Sequence, residues 1–487
     1  MVRIAPWGFR DYDLRWRYPE EIDLDGMAEV GRGLGTQLLR RGGDRRIIVG
    51  HDLRRYSPAV QAALAAGLAE AGCEVCDIGL CLTPMAYFAR HHLGIGAVAM
   101  VTASHNPDGW TGVKAGFAAP FTHGPEEIAE LRAIVLGGQA ARAPGGAILP
   151  AGDLREAYLA DCARGFRLAR PLRVVCAAGN GTAGLFAPAL LAGAGAEVIP
   201  LHCEPDTGFP HYNPNPEALA MLRDMQAAVR RTGAALALGF DGDGDRIGIV
   251  DDRGEVLPPD KLGVLLARGI ARERGGALFL ADMKSTGLFA TDPELARHGG
   301  RAEYVRVGHS HVKRLLAATG AAAAFEKSGH VYLAPPLGRG YDCALTAAVA
   351  VLRLLDGAGG RPLSALAASL PVTYLSPTMS PACPEAEKAG ALARILARLR
   401  ARAGEGGALG GRRIAAITEA DGARIALDGG GWALIRASSN TPNLVVVCES
   451  PESQAHLRAI FADVDALIRS EPCIGPYDQT LDGAQTA

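Results

Sequence analysis

The chain reads as an α/β protein: three consecutive α/β units with mixed sheets, followed by a smaller α+β unit. Three observations predict this. Short apolar, β-branched runs alternate with Ala- and Leu-rich helical periods up to about residue 370, the pattern of repeated strand–helix–strand units. Many of those runs end in polar residues and glycines, as strands do where an open sheet turns its carboxyl edge to a ligand. After Pro371 the alternation stops, and one long helix precedes a series of short strands.

The first unit, residues 1–150, begins with a helix within 21–40, where Met27, Val30, Leu34 and Leu38 share one face. A strand at 46–50 leads to an Ala-rich helix at 58–72, with proline early and glycine at its end. A strand at 74–78, a helix near 85–92 and the buried run 96–100 lead into residues 101–114. There Pro107, Gly109 and Gly112 predict an exposed loop, and the Gly/Ala/Pro-rich stretch 137–152 predicts the connection out. The second unit, 151–256, repeats the grammar with a helix near 154–164 and strands at 172–176, 197–201, 234–239 and 247–250. The third, 257–370, has strands at 277–280, 302–305 and 322–325 and a closing helix at 344–355. The fourth, 371–487, has a helix at 385–402, strands at 414–417, 423–427, 432–436 and 444–448, and a helix at 452–468. Its tail from Ser470 is expected to be poorly anchored.

Composition narrows the function. Over 487 residues, 48% hydrophobic and 21% charged content suits a globular chain with sizeable cores. Fifty basic residues against 52 acidic ones leave a net charge of -2, which argues against nucleic acid as a partner. Residues 1–20 carry Arg3, Arg10, Asp11, Asp13, Arg15 and Arg17 and no apolar leader core, and no apolar run is long enough to span a membrane. A cytoplasmic protein without a membrane partner is expected. The ten cysteines form no framework; Cys73 and Cys76 make the one C-x-x-C, without a second pair at zinc spacing. Free thiols in a reducing compartment follow.

Four stretches carry chemistry. Ser104 ends a buried strand, with His105 beside it and Lys114 ten positions on, a setting for a nucleophile. A Ser/Asn turn that merely ends a strand is the plainer reading. Asp241, Asp243 and Asp245, followed by Arg246, end another apolar strand. Alternate positions let three carboxylates converge on one cation, and like charges so close repel unless neutralised. Hard oxygen ligands suit Mg²⁺. An EF-hand loop fails here, because Arg246 and Asp252 stand where it needs Gly and Glu. Third, Glu326-Lys327-Ser328-Gly329-His330 offers an acceptor, a donor and an imidazole to sugar hydroxyls. Fourth, Arg436 precedes Ser438, Ser439 and Asn440, a planar guanidinium fork with short donors that suits phosphate. Lys284, His309 and Lys313 near third-unit strand ends, and Arg10, Tyr12 and Arg15 near the start, are further candidates.

In this order the stretches resemble the α-D-phosphohexomutase family, of the phosphomannomutase/phosphoglucomutase type. Residues 9–15 (Phe-Arg-Asp-Tyr-Asp-Leu-Arg) are similar to its N-terminal motif and 102–107 (Thr-Ala-Ser-His-Asn-Pro) to its phosphoserine loop. Residues 241–246, 326–330 and 436–442 resemble its metal, sugar-recognition and phosphate-binding loops. Trp110 and Thr111 stand where the family commonly has Tyr-Asn, Trp16 and Phe325 where glycine is common, and Asn440 where many members have Thr. Lys327 occupies the variable middle of the sugar loop. These departures bear on the sugar more than on the reaction.

The resemblance implies four domains around a central cleft. It also implies transfer of a phosphoryl group between O1 and O6 of a hexose phosphate, through phosphorylated Ser104 and a hexose 1,6-bisphosphate that also acts as activator. One Mg²⁺ per active site would sit on Ser104, Asp241, Asp243 and Asp245. Ser104, His105, Lys114, Arg15 and His330 would serve catalysis, with the proton-transfer group left open among the last four. Tyr12, Arg246, Lys284, His309, Glu326, Ser328, His330, Arg436, Ser438, Ser439 and Asn440 would bind substrate. A monomer or weak dimer is expected. Two rivals stand beside this reading: an aspartate-dependent sugar-phosphate phosphatase with Asp241 as nucleophile, and a non-catalytic sugar-phosphate-binding protein.

Overall fold

The computed structural model of the chain describes residues 2–438, 441–479 and 481. They fall into two units: one of Met1–Leu266, Gly308–Ala324 and Ser328–Ala367, the other of Ala267–Val307, Phe325–Lys327 and Ala368–Ala487.

The first unit holds two mixed sheets. One runs in the order Leu14–Arg17, Trp110–Gly116, Ala97–Val101, Arg46–His51, Glu74–Leu80, Ala147–Pro150. Its last four strands pair in parallel, as strands joined by helical crossovers must. Leu14–Arg17 and Trp110–Gly116 are antiparallel additions at one edge. Two expectations change here. Gly112 does not break the chain but lies inside the strand Trp110–Gly116, so the exposed part of the loop is confined to Pro107 and Asp108, while Val101 to Ser104 are buried as a strand end should be. The stretch 137–152 is not only a connection, because Ala147–Pro150 adds an edge strand to the sheet. Gly112 has a positional reason: a Cβ there would lie 1.9 Å from the Leu14 carbonyl oxygen. Only glycine lets the Arg15 strand come so close.

The second sheet has the order Val256–Leu257, Ile247–Asp251, Leu236–Phe240, Arg173–Ala177, Glu197–Leu201. Leu236–Phe240 and Ile247–Asp251 are antiparallel neighbours, so the five residues from Asp241 to Asp245 form a tight turn between two fully buried strands. Trp16 is wholly buried, donates from its indole nitrogen to the Ala5 carbonyl (2.8 Å) and meets Phe9 edge-on. Its substitution for glycine is thus a matter of core packing.

The third predicted segment divides between the units. Leu278–Asp282 and Arg301–Val305 pair in parallel in the second unit. His309–Thr319, Val331–Leu333 and Ala344–Asp356 belong to the first. The C-terminal sheet of the second unit is antiparallel: Tyr374–Leu375, Leu444–Ser450, Trp432–Ala437, Ala423–Leu427, Arg412–Thr418, Ala408–Leu409. The helices Glu385–Gly404 and Gln454–Ile468 close a core with Ile425, Ile435, Val446 and Ile460. Residues just after Ser470 are anchored, against expectation: Glu471 is buried and paired with Arg394 and Arg398, and Tyr477 meets Phe461. No helix among the described residues is long and apolar enough to cross a membrane.

Candidate active site

Ser104 follows the strand Ala97–Val101 with φ of +53°, in the left-handed region that a side chain adopts only when its surroundings impose it. The surroundings are specific. Its N–H donates to Thr102 Oγ1 at 2.8 Å, and its carbonyl accepts from Arg54 Nη2 at 2.8 Å. Arg54 also donates to the Asn106 and Pro107 carbonyls and lies 3.3 Å from Asp52. Asp52 in turn accepts from Thr102 Oγ1, Ala103 N and Ser57 Oγ. The buried Asp52–Arg54 pair therefore sets the backbone that presents the hydroxyl. From that backbone Ser104 Oγ lies 3.1 Å from Asp241 Oδ2 and 3.3 Å from His105 Nδ1. Arg15, paired with Asp13 at 2.8 Å, donates to the Thr102 carbonyl.

Asp241, Asp243 and Asp245 are all fully buried, with a carboxylate oxygen from each within 4.8 Å of the others. Asp241 Oδ1 accepts from the N–H groups of Asp245 and Arg246, both at 3.1 Å. Asp243 Oδ2 accepts from Thr83 Oγ1 (2.5 Å) and Lys114 Nζ (2.8 Å), and Asp245 Oδ2 from Lys114 (2.5 Å). Asp243 Oδ1 and Asp245 Oδ1 accept from no donor among the described residues. One ammonium cannot neutralise three carboxylates, and the proton affinities record the shortage. Burial, then repulsion from Asp245 and Asp243, pushes Asp241 well above the usual carboxylate range. Asp243 goes the other way: burial would raise it, but Lys114 outweighs burial and holds it low. Burial would also strip Lys114 of its proton, yet Asp243 and Asp245 keep it charged well above the ordinary lysine value. Two open oxygens beside a surplus of buried negative charge fit a small hard dication.

His105 is a weak base here. The charge of Arg246, then burial and Arg15, lowers it to about 2. His330 lies across an isolated β-bridge from Arg246, whose Nε donates to His330 Nε2 at 3.0 Å. Arginine only donates, so in the neutral ring the proton sits on Nδ1, which lies 3.0 Å from Asp342 Oδ2 and 3.7 Å from Asp245 Oδ1. Lys313 Nζ meets Asp342 Oδ1 at 2.8 Å and His309 Nδ1 at 3.3 Å. The Tyr12 ring meets His309 edge-on with centroids 4.8 Å apart. Ser328 is buried in the same unit, and the Gly329 carbonyl accepts from Ile247 N.

Ser104, His105, Lys114, Arg15, the three aspartates, Arg246, Tyr12, His309, Ser328 and His330 thus all lie in the first unit. Lys284, Glu326, Arg436 and Ser438 belong to the second. There Arg436 lies 2.8 Å from Asp421, and Ser438 Oγ lies 2.7 Å from Thr441 Oγ1. Lys388 donates to the Ser438 and Thr441 carbonyls. Glu326 is buried, and Lys284 follows the strand Leu278–Asp282. Ser439 and Asn440 lie outside the described residues.

Five site residues are absent from the candidates that the sequence offers. Thr83 opens a helix a long way before the aspartate it serves. Asp52 and Arg54 follow the strand Arg46–His51, in a D-x-R step that could have been read as a polar cluster at a strand end. Asp342 sits between Tyr341 and Cys343 without a motif around it. Asn213, which donates to the His105 carbonyl, lies in the proline-rich stretch 209–216.

Comparison with known proteins names this combination of sheets and loops. Models of phosphoglucomutase/phosphomannomutase α/β/α domains I, II and III match residues 7–142, 156–254 and 258–374, and that of the C-terminal domain matches 382–467. The chain belongs to the α-D-phosphohexomutase family, and its three α/β domains with an antiparallel C-terminal domain are that family's fold. It is 34% identical to a Pseudomonas putida phosphomannomutase/phosphoglucomutase over 95% of this chain and 96% of that one. It is 33% identical to a Neisseria gonorrhoeae phosphoglucomutase over 95% and 97%. A crystal structure of a Burkholderia thailandensis phosphoglucomutase/phosphomannomutase family protein superposes with a TM-score of 0.85 at 28% identity, over 96% of this chain and 98% of that one. The chain is accordingly a phosphohexomutase, an enzyme of hexose phosphates.

Proposed function

We propose that the chain interconverts hexose 6-phosphate and hexose 1-phosphate, of mannose and of glucose, with Ser104 as phosphoryl carrier. The observation that carries this is Ser104 Oγ, held by a left-handed backbone 3.1 Å from one of three clustered, buried carboxylates. Phosphorylated Ser104 donates to the free sugar hydroxyl, and the resulting hexose 1,6-bisphosphate turns over and returns its other phosphate to Ser104. Asp241, Asp243 and Asp245 would hold Mg²⁺, which when bound offsets charge on the transferred group.

The remaining roles follow from this chain's own groups. His105, lowered to about 2, stays neutral and is a poor base, so it orients the serine. Lys114 is the better proton-transfer group. Burial opposes its charge, and Asp243 and Asp245 are the chief groups that retain its proton, so its hold on that proton weakens when their charge is engaged elsewhere. Arg246, Arg15 and Tyr12 would contact phosphate and sugar, with His309, Ser328 and His330 beside them. Lys284, Glu326, Arg436, Ser438, Ser439 and Asn440 would grip the sugar and the non-reacting phosphate. Asp342 and Lys313 would orient His330 and His309. The rival in which Asp241 is the nucleophile is disfavoured by that residue's partners: one oxygen already takes two backbone N–H groups and the other faces Ser104. Ten free thiols support a reducing, cytoplasmic setting, and we propose a monomer or weak dimer.

Intact mass spectrometry tests the carrier. The purified protein, charged with glucose 1,6-bisphosphate, should gain about 80 Da on Ser104, and excess mannose 1-phosphate or glucose 1-phosphate should remove it. Phosphate that stays on Asp241, or a protein that never charges, overturns the reading. In a coupled assay both hexose 1-phosphates should turn over. A preference beyond about a thousandfold, roughly 4 kcal/mol, or a preference for an amino sugar, sinks the dual substrate.

A further inference from the structure

Near the His330 network lies a pair of thiols that the phosphoryl transfer does not use. Cys162 stands near the end of the helix Arg155–Ala163, and Cys343 caps the helix Ala344–Asp356. Their sulfurs are 3.9 Å apart, in van der Waals contact, and both residues are buried. Donors converge on Cys343 Sγ. Thr346 N lies at 3.4 Å, Thr346 Oγ1 at 3.2 Å and Tyr158 Oη at 3.3 Å. A neutral thiol is a weak acceptor, so this concentration of donors at a helix N-terminus favours the thiolate. Proton affinities follow the geometry. Burial would raise Cys343, but the bonds from Cys162 and Thr346 outweigh it and bring the thiol down to about 7. Burial pushes Cys162 well up. One sulfur is thereby a nucleophile and its neighbour a thiol in reserve. A cleft of about 230 Å³, with room for a small oxidant among several waters, is lined by Cys162 and Thr346 together with Leu333, Val349, Arg164 and Arg353. Cys343 lies behind that lining, its sulfur touching both Cys162 and Thr346, so an oxidant in the cleft meets it once those two side chains move aside.

We propose that Cys343 and Cys162 form an oxidisable dithiol, a modification site for a hydroperoxide, whose disulfide form disturbs the sugar-phosphate site. The modification itself stands on the thiols alone; its effect on turnover rests on the mutase reading. The Cys343 thiolate attacks one peroxide oxygen: an S–O bond forms, the O–O bond breaks, and the departing hydroxide of hydrogen peroxide, or the alkoxide of an organic hydroperoxide, takes a proton and leaves as water or alcohol. Cys162, losing its proton, attacks the sulfenic sulfur. An S–S bond forms, the S–O bond breaks, and a water leaves. Two electrons pass from the sulfur pair to the peroxide, and a dithiol reductant reverses the step. Closing the sulfurs from 3.9 Å to a bond of about 2.05 Å shifts Cys343. Its N–H donates to the Val331 carbonyl at 3.3 Å, and its neighbour Asp342 is bridged to Tyr332. The shift therefore reaches the segment that carries His330, whose Nδ1 lies 3.0 Å from Asp342.

The test uses the full-length, reduced protein and a few equivalents of hydrogen peroxide. Intact mass should fall by about 2 Da, and peptide mapping should find Cys162 joined to Cys343. Mutase activity should fall by about fivefold or more and return with dithiothreitol. Cys162→Ser should form no cross-link, retain its activity in the reduced state, and leave Cys343 trappable by a dimedone-type reagent as the sulfenic acid. If Cys162→Ser folds poorly, Cys162→Ala serves the same purpose. Peroxide that leaves the mass unchanged, or a cross-link between other cysteines, overturns the proposal. A Cys162–Cys343 bond that leaves activity intact overturns the coupling to His330. A reduced protein with no turnover fails the mutase reading instead, and the mass shift still judges the thiols.

Discussion

Two buried groups of carboxylates, one in each unit, follow opposite rules. Glu449 in the second unit is buried, and each oxygen has a neutral donor: Thr286 Oγ1 at 2.7 Å on one, Gly287 N at 2.6 Å with the Trp432 indole on the other. Asp241, Asp243 and Asp245 in the first unit share one lysine and a few hydroxyl and amide donors, and two of their oxygens have none among the described residues. Burying a charge costs several kcal/mol unless donors replace water. Where donors are complete, the carboxylate ties a fold together; where they fall short, the deficit marks a site for a ligand. The nearby buried Arg424 donates from one guanidinium nitrogen to the Met283 and Ser285 carbonyls and lies between the Tyr304 and Trp432 rings.

The contrast can be broken most severely at the serine. Ser104→Ala should lower mutase turnover by about 10³-fold or more while leaving thermal stability within about 1 °C, measured by coupled assay and calorimetry. A retained rate would end the carrier role. Next, Asp245→Asn should cost about 10²–10³-fold in kcat, because it removes a charge from the transferring group's surroundings, and it should reduce the rise in Tm that Mg²⁺ produces. Glu449→Ala separates the two regions. It leaves three donors unpaired and should cost about 2–4 kcal/mol of stability, with kcat per folded molecule unchanged. Asp342→Asn should lower kcat/KM by about tenfold to a hundredfold, and Asp342→Glu should recover part of it.

The smallest effect is on the pH dependence of stability, and it carries two signs. Asp241 binds its proton more tightly folded than unfolded, so in chelator the folded state loses stability as pH rises from the ordinary carboxylate value through the raised one. Saturating Mg²⁺ should remove that loss, for a gain of a few degrees in Tm at neutral pH. Asp243 is depressed, so its contribution is present at neutral pH and fades as pH falls below the ordinary carboxylate value. A chelated protein whose Tm between pH 5 and 8 matches that in Mg²⁺ would show that the cluster needs no cation.

Much of the fold and the centre of the site could be read in advance because each sits in one contiguous stretch. Alternating apolar runs announced the strands, and Asp241, Asp243 and Asp245 announced themselves by spacing within a single turn. Thr83, Asp52, Arg54 and Asp342 stayed hidden because each acts on a residue far away in sequence or across a bridge that only the sheet creates. The stretch 137–152 looked like a connection because an edge strand needs only one neighbour, and its glycines and prolines obscure the alternation. The segment after Ser470 looked loose because its anchor is one glutamate matched to two arginines of another helix.

Local chemistry in the sequence determined the strands, the acidic turn and the hydroxyl at the end of a buried run, since these depend on residues within a few positions of each other. Tertiary structure alone decided how each group behaves. Lys114 is a held ammonium rather than a buried neutral amine because two strands bring it to Asp243 and Asp245. His105 is neutral because Arg246 stands near it. Cys343 is set apart from nine other thiols by the donors that Tyr158 and Thr346 place around its sulfur. Proton affinity depends on charge and burial over a few ångströms, and those distances exist only once the chain has folded.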